Sequence, residues 1–186
     1  MCFREPGADV VVEVVEADSP GPALGYVAAS VADLETARRC FGEALGFEEA
    51  EPDAVHRPGH EALWGLDGAQ RTCAVFRIGD AFLELVRYTS PAPRPPAPDA
   101  LLSDQGLMNA AIGYRDRAEL VRAHDALTAL GASATTDVPG VSGSVYLRLP
   151  EGLSVEQLLV PRELDAAYGF VPQPAPPAAA APSGRS

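Results

Sequence analysis

GYVAASVADLETARRCFGEALGF, Gly25 to Phe47, reads as a strand, a cap, a helix and a stop in that order. Tyr26 to Val31 is an apolar run of strand length. Asp33 is a helix N-cap, because its carboxylate can accept from the first free backbone N–H groups. Leu34, Ala37, Phe41 and Leu45 then recur at helical spacing, and Gly46 takes the left-handed stop. The pattern returns later in the chain: Asn109 follows Tyr26 by 83 residues, and Asp116 follows Asp33 by the same interval. Leu107 to Tyr114 is the second strand. Asp116 caps a helix with Glu119 three residues on, Leu120, Ala123, Leu127 and Leu130 form its buried stripe, and Gly131 stops it.

Strand-like runs follow each helix. Those of the first half are Ala62–Leu66, Thr72–Ile78 and Ala81–Tyr88; those of the second are Ser133–Thr136, Ser144–Leu149 and Leu153–Val160. Gly79-Asp80 and Pro150-Glu151-Gly152 are the tight turns before the last strand of each half. Each half is therefore βαβββ, and the expected fold class is α+β. One such unit cannot bury both its helix stripe and its sheet, so two must pack together.

The expected organisation has five parts. Residues 1–23 form an N-terminal extension, in which Val10–Val15 reads as a strand of unassigned partner. Residues 24–89 are the first module, 90–105 a Pro-rich linker and 106–171 the second module with a C-terminal segment. Residues 172–186 are a Pro/Ala tail of too little apolar variety to fold.

Composition narrows the partners. Of 186 residues, 47% are hydrophobic and 22% charged, which fits a packed globule. Acidic residues outnumber basic ones by 26 to 14, for a net charge of −12, and that field repels nucleic acid. Every basic residue is Arg, so no lysine amine is available for Schiff-base chemistry. No apolar run reaches membrane-spanning length. Met1 to Pro6 lacks the signal-peptide pattern. Cys2, Cys40 and Cys73 are an odd set without CxxC spacing, which fits a reducing compartment; the cytoplasm is the expected location.

The module order and its wording resemble the vicinal-oxygen-chelate superfamily, the glyoxalase, bleomycin-resistance and extradiol-dioxygenase group. Gly25–Phe47 is similar to its opening strand and helix. GDAFLELVRY, Gly79–Tyr88, is similar to the closing strand of a first module, and LPEGLSVEQLLV, Leu149–Val160, to that of a second. The resemblance covers about Leu24 to Val160. It implies two modules forming a cupped, mostly antiparallel sheet with helices on the convex side. It also implies a cavity with ligands from four strands, at the places held here by Tyr26, Glu84, Asn109 and Glu156.

Strand alternation supports the same grouping on its own, since Tyr26, Glu84, Asn109 and Glu156 each share a face with apolar or small neighbours. Glu84 and Glu156 read as inward carboxylates able to act as general base or acid, or as carboxylates turned out to water. Asn109 is a cavity hydrogen-bonder or a satisfied strand residue, and Tyr26 a cavity phenol or a core aromatic. Trp64 is a wall of the substrate site or a packing residue. His56 and His60 read as a solvated loop.

The imidazoles usual at the first and third places of the family are absent. A neutral phenol and an amide are poor ligands for zinc, nickel or iron. No cofactor is expected, beyond a loosely held Mg²⁺ or Mn²⁺ at Glu84, Asn109 and Glu156. The leading functional expectation is proton transfer beside a carbonyl, by an isomerase, epimerase, cyclase or lyase. The alternatives are non-catalytic binding of a small molecule of antibiotic type, and an interaction module with a vestigial cup. The expected partners are a small-molecule ligand and a second copy of the chain in a homodimer, since sheet edges and cup faces invite pairing.

Overall fold

The computed structural model describes residues 2–4, 11–14, 24–55, 60–94 and 109–168. The segments 101–108 and 169–186, the latter including the Pro/Ala tail, lie outside the described residues, as does His56. Of the Pro-rich linker, residues 90–94 are described: Ser90 is the last residue of a strand, and 91–94 carry neither helix nor strand.

An antiparallel hairpin opens the chain, β1 (Cys2–Arg4) with β2 (Val11–Glu13), so the β-branched run near the N-terminus finds its partner just upstream. The first module holds β3 (Tyr26–Ser30), α1 (Leu34–Arg38) continuing as a π-helix (Arg39–Ala44), β4 (Glu48–Ala50), α2 (His60–Leu63), β5 (Gln70–Ile78) and β6 (Ala81–Ser90). Its sheet runs β3-β6-β5-β4, with β3 parallel to β6 and the other pairs antiparallel. The second module holds β7 (Asn109–Tyr114), α3 (Arg117–Ala129), β8 (Ser133–Ala134), β9 (Gly143–Arg148) and β10 (Ser154–Leu159), followed by a short helix α4 (Asp165–Tyr168). Its sheet runs β7-β10-β9-β8 with the same mixed pairing. The expected α+β repeat is thus present, as two mixed four-stranded sheets that do not close on themselves.

Both caps form. Asp33 accepts from the backbone N–H groups of Glu35 and Thr36, and Asp116 from those of Ala118 and Glu119. At the far end of α3, Gly131 takes a φ of 96°, and the Ala132 N–H reaches the Leu127 carbonyl at 3.0 Å. That bond closes a Schellman turn. Asp116→Ala is expected to destabilise the chain by about 1 kcal/mol in urea unfolding, because two N–H groups lose their acceptor. An unchanged midpoint would mean that the cap is redundant.

One buried cluster joins the helix-facing sides of both modules. Leu34, Ala37 and Phe41 meet Ala74, Phe76, Leu83 and Leu85, and Leu120, Leu127, Val145, Leu147, Val155 and Leu159 belong to the same cluster. Phe41 and Phe76 stack with ring centroids 6.0 Å apart. Since Leu83 and Leu85 take this side, strand alternation sends Glu84 to the other.

The expected strand Ala62–Leu66 is replaced by α2 and a turn. Gly65 and Gly68 there adopt φ of 79° and 71°, which extended backbone cannot use, and the Leu66 N–H bonds the Glu61 carbonyl at 2.8 Å. The fourth strand of the module is β4 instead, formed where Glu48, Glu49 and Ala50 pair with Arg77, Phe76 and Val75. Among the described residues, no helix is long and apolar enough to cross a membrane.

Candidate functional site

The face of the first sheet opposite the core carries a polar cluster. Glu84, in the middle of β6, is completely buried. Its neighbour across the ladder is Val75 on β5, and two pairs further along the same face Arg71 lies opposite Tyr88. Arg71 Nη1 donates to Glu84 Oε1 at 3.1 Å, and Arg71 Nε donates to the carboxylate of Glu61 on α2. The guanidinium, with a side chain 14% exposed, thus links a strand carboxylate to a helix carboxylate.

Burial pushes the Glu84 carboxyl up to about 7; Arg71 and the Cys73 thiol offset only part of that effect. The hydration that would stabilise the anion is lost, and the Arg71 guanidinium is shared with Glu61. Burial likewise raises the Cys73 thiol and the Tyr88 phenol, the latter helped by the charge of Glu61. Cys40, in the core, is pushed up to about 12 by burial, which leaves it an inert thiol.

Tyr26 is half-buried, and its hydroxyl donates to Glu13 Oε2 on β2 at 2.6 Å. Glu13 also faces His60 of α2, whose Nδ1 lies 3.5 Å from Glu13 Oε1. His60 therefore sits on a helix in contact with the N-terminal hairpin, rather than in the solvated loop its sequence predicts. Trp64 is half-buried and follows α2 directly, its backbone N–H bonded to the Glu61 carbonyl at 3.1 Å.

In the second module Asn109 and Glu156 share the face opposite α3. The Asn109 amide donates to Glu156 Oε2 at 3.2 Å. Gln157, one residue on, turns to the helix side and donates to the Tyr114 hydroxyl at 3.1 Å. The structure thus brings Asn109 to Glu156, Glu84 to Arg71, and Tyr26 to Glu13. Among the described residues no contact joins Glu84 to Glu156. A cleft of about 570 Å³ lies between the modules, its wall including Ala28 and Ser30 of β3, Asn109, Arg148, Glu151 and Ser154.

The metal implied by the family resemblance does not fit these side chains. The Glu84 carboxylate is held by a guanidinium, whose charge opposes a divalent cation beside it, and the Tyr26 hydroxyl is committed to Glu13. Among the described residues no three His, Cys, Asp or Glu side chains converge as a metal site.

Arg71, Glu61 and Glu13 escaped the sequence reading. Arg71 was accessible to it, since a two-residue turn at Gly79-Asp80 pairs Ile78 with Ala81, and counting back along the ladder puts Arg71 on the face of Glu84. Nothing in HEALWGL announces the Glu61 contact.

No protein-family model matches the chain, and no curated protein does. Solved structures do. A glyoxalase/dioxygenase from Nostoc punctiforme is 22% identical with a TM-score of 0.56, over 81% of this chain and 99% of that one. A glyoxalase family protein from Bacillus cereus is 19% identical with a TM-score of 0.58, over 78% and 100%. A glyoxalase/bleomycin resistance protein from Albidiferax ferrireducens is 15% identical with a TM-score of 0.51, over 74% and 98%. The chain has the vicinal-oxygen-chelate fold, as its module order and wording imply.

Proposed function

We propose that the chain is a proton-transfer enzyme acting beside the carbonyl of a small organic molecule, with Glu84 as the base. The observation that carries this reading is a completely buried carboxyl lifted to about 7 next to a guanidinium. A base poised near neutral pH balances availability against proton affinity. The Glu84 carboxylate takes the proton from the carbon next to the carbonyl. The C–H electron pair becomes the C=C bond of an enolate, and the carbonyl π pair moves onto oxygen. Arg71 Nη1, a fixed charged donor beside Glu84, holds that oxyanion. Tyr26 and Asn109 are less suited to that role, since both are neutral donors and each is turned to a carboxylate other than Glu84. Glu84 is preferred to Glu156 as the base because Glu156 is only half-buried. Return of the proton to either face or to another atom makes the reaction an epimerisation or an isomerisation.

The test is hydrogen exchange in D₂O with a panel of small ketones, aldehydes and oxo acids, followed by NMR. At least one panel member is expected to lose its α-proton signal, at a rate rising with pH through about 7. Glu84→Gln is expected to slow exchange roughly 10²- to 10⁴-fold, the range for losing a positioned base. No exchange above the solvent rate, or full exchange by Glu84→Gln, would remove Glu84 as base.

The inter-module cleft, walled by Val27, Ala29, Val31 and Leu153 besides its polar groups, favours a second reading. In it the chain encloses a small molecule without chemistry, a role in keeping with its likeness to the glyoxalase/bleomycin resistance protein of Albidiferax ferrireducens. Binding of a panel compound without exchange by either form would select that reading.

A further inference from the structure

We propose that Arg71 is the binding group for the carboxylate of a small organic acid, and that Glu61 on α2 occupies that position as a built-in competitor. The inference rests on the proposed site at Glu84 and Arg71 being where a small molecule binds, and it adds the class of molecule that enters.

The two carboxylates on Arg71 are carried very differently. Glu84 lies within the ten-residue β6, which is paired with β3 on one side and β5 on the other. It cannot leave without breaking the sheet. Glu61 lies on the four-residue α2. A helix that short has almost no stability of its own. Gly65 and Gly68 follow it, both with positive φ and both with open space where a Cβ would stand. Of the two carboxylates, Glu61 is therefore the one carried outside the sheet, and the one a ligand can displace by moving a single turn of chain.

Charge selects the replacement. Two carboxylates and one guanidinium are buried together, with side-chain exposures of 9% for Glu61, 14% for Arg71 and 0% for Glu84. Exchange of Glu61 for a ligand carboxylate keeps the charge of the cluster constant. An amine would meet the guanidinium head-on, and a neutral amide would leave Arg71 a weaker partner in a dry site. A planar guanidinium also matches a carboxylate geometrically, through paired N–H groups.

The chain contains one tryptophan, Trp64, directly after α2. Its emission reports movement of that helix. The experiment titrates the full chain at constant ionic strength with acetate, pyruvate and succinate, with acetamide, pyruvamide and succinamide as neutral counterparts. The acids are expected to give a saturable change in Trp64 emission and the amides none. Glu61→Gln, a weaker competitor of the same shape, is expected to lower the half-saturating acid concentration roughly tenfold. Arg71→Lys is expected to raise it about tenfold, because the charge stays and the planar fork is lost. Glu84→Gln is expected to keep the response, so failure of the proton-transfer reading does not touch this one. Equal responses to acid and amide would overturn the inference. So would no saturable response in both the native chain and a folded Glu61→Gln, even if α-proton exchange is found.

Discussion

Arg71→Met is expected to destabilise the chain by about 3 to 5 kcal/mol at pH 8, the usual consequence of removing one member of a buried ion cluster. Met has a similar length and leaves little void, so the loss is electrostatic. Glu61 and Glu84 are then two buried carboxylates without their shared cation. The simplest escape is protonation of Glu84, whose carboxyl is lifted to about 7 even beside Arg71, so the loss should shrink at pH 5. Urea unfolding of native and variant chains at the two pH values measures this. A loss independent of pH would mean that Arg71 acts through packing of its stem. No loss at either pH would mean that the cluster is open to water.

Glu84→Gln is expected to make the chain more stable above pH 7. The carboxyl titrates at 4.5 when unperturbed and at about 7 in the fold. Between those values the folded chain holds a proton that the unfolded chain has released, so native stability falls as pH rises through this window. Above the window the buried anion costs about 3 kcal/mol relative to its hydrated form. Gln resembles the protonated acid and cannot ionise, and Arg71 keeps Glu61. The variant should match the native chain near pH 4.5 and exceed it by up to about 3 kcal/mol at pH 8, with a flatter dependence on pH between. Coincident native and variant stabilities across the range would show that Glu84 ionises freely. A gain in stability coupled to loss of exchange is the pattern expected where function requires an unfavourably placed charge.

Caps, stops and alternation made most of the fold legible. Asp33 and Asp116 cap because their carboxylates meet N–H groups two and three residues away, a relation confined to one turn of chain. Gly131 stops α3 by a local positive φ. The burial of Leu83 and Leu85 against the exclusion of Glu84 to the other face follows from the two-residue period of a strand. The misreading of Ala62–Leu66 has a physical cause. Gly65 within that apolar run and Gly68 just after it decide, not the apolar residues, and both take the left-handed region. The short acidic stretch Glu48–Ala50 has weak strand propensity, and its strand exists because Arg77, Phe76 and Val75 offer it a paired edge.

The candidate site was legible only in part. Glu84 stands out in the sequence as a charge inside an apolar strand, and Asn109 and Glu156 lie on one face of parallel neighbours, two residues apart in register, where the fold joins them by a hydrogen bond. What surrounds Glu84 comes from elsewhere in the chain. Arg71 reaches it across a hairpin, Glu61 from a helix turned by two glycines, and the hairpin residue Glu13 draws the Tyr26 hydroxyl away from it. By itself the sequence determined the repeated modules, the caps and the face on which each strand residue lies, because all of these are set by neighbours within a few residues. Only the tertiary structure decided which charges meet. The ionisation of Glu84 depends on burial and on a guanidinium brought in through space, and neither quantity has a period along the chain.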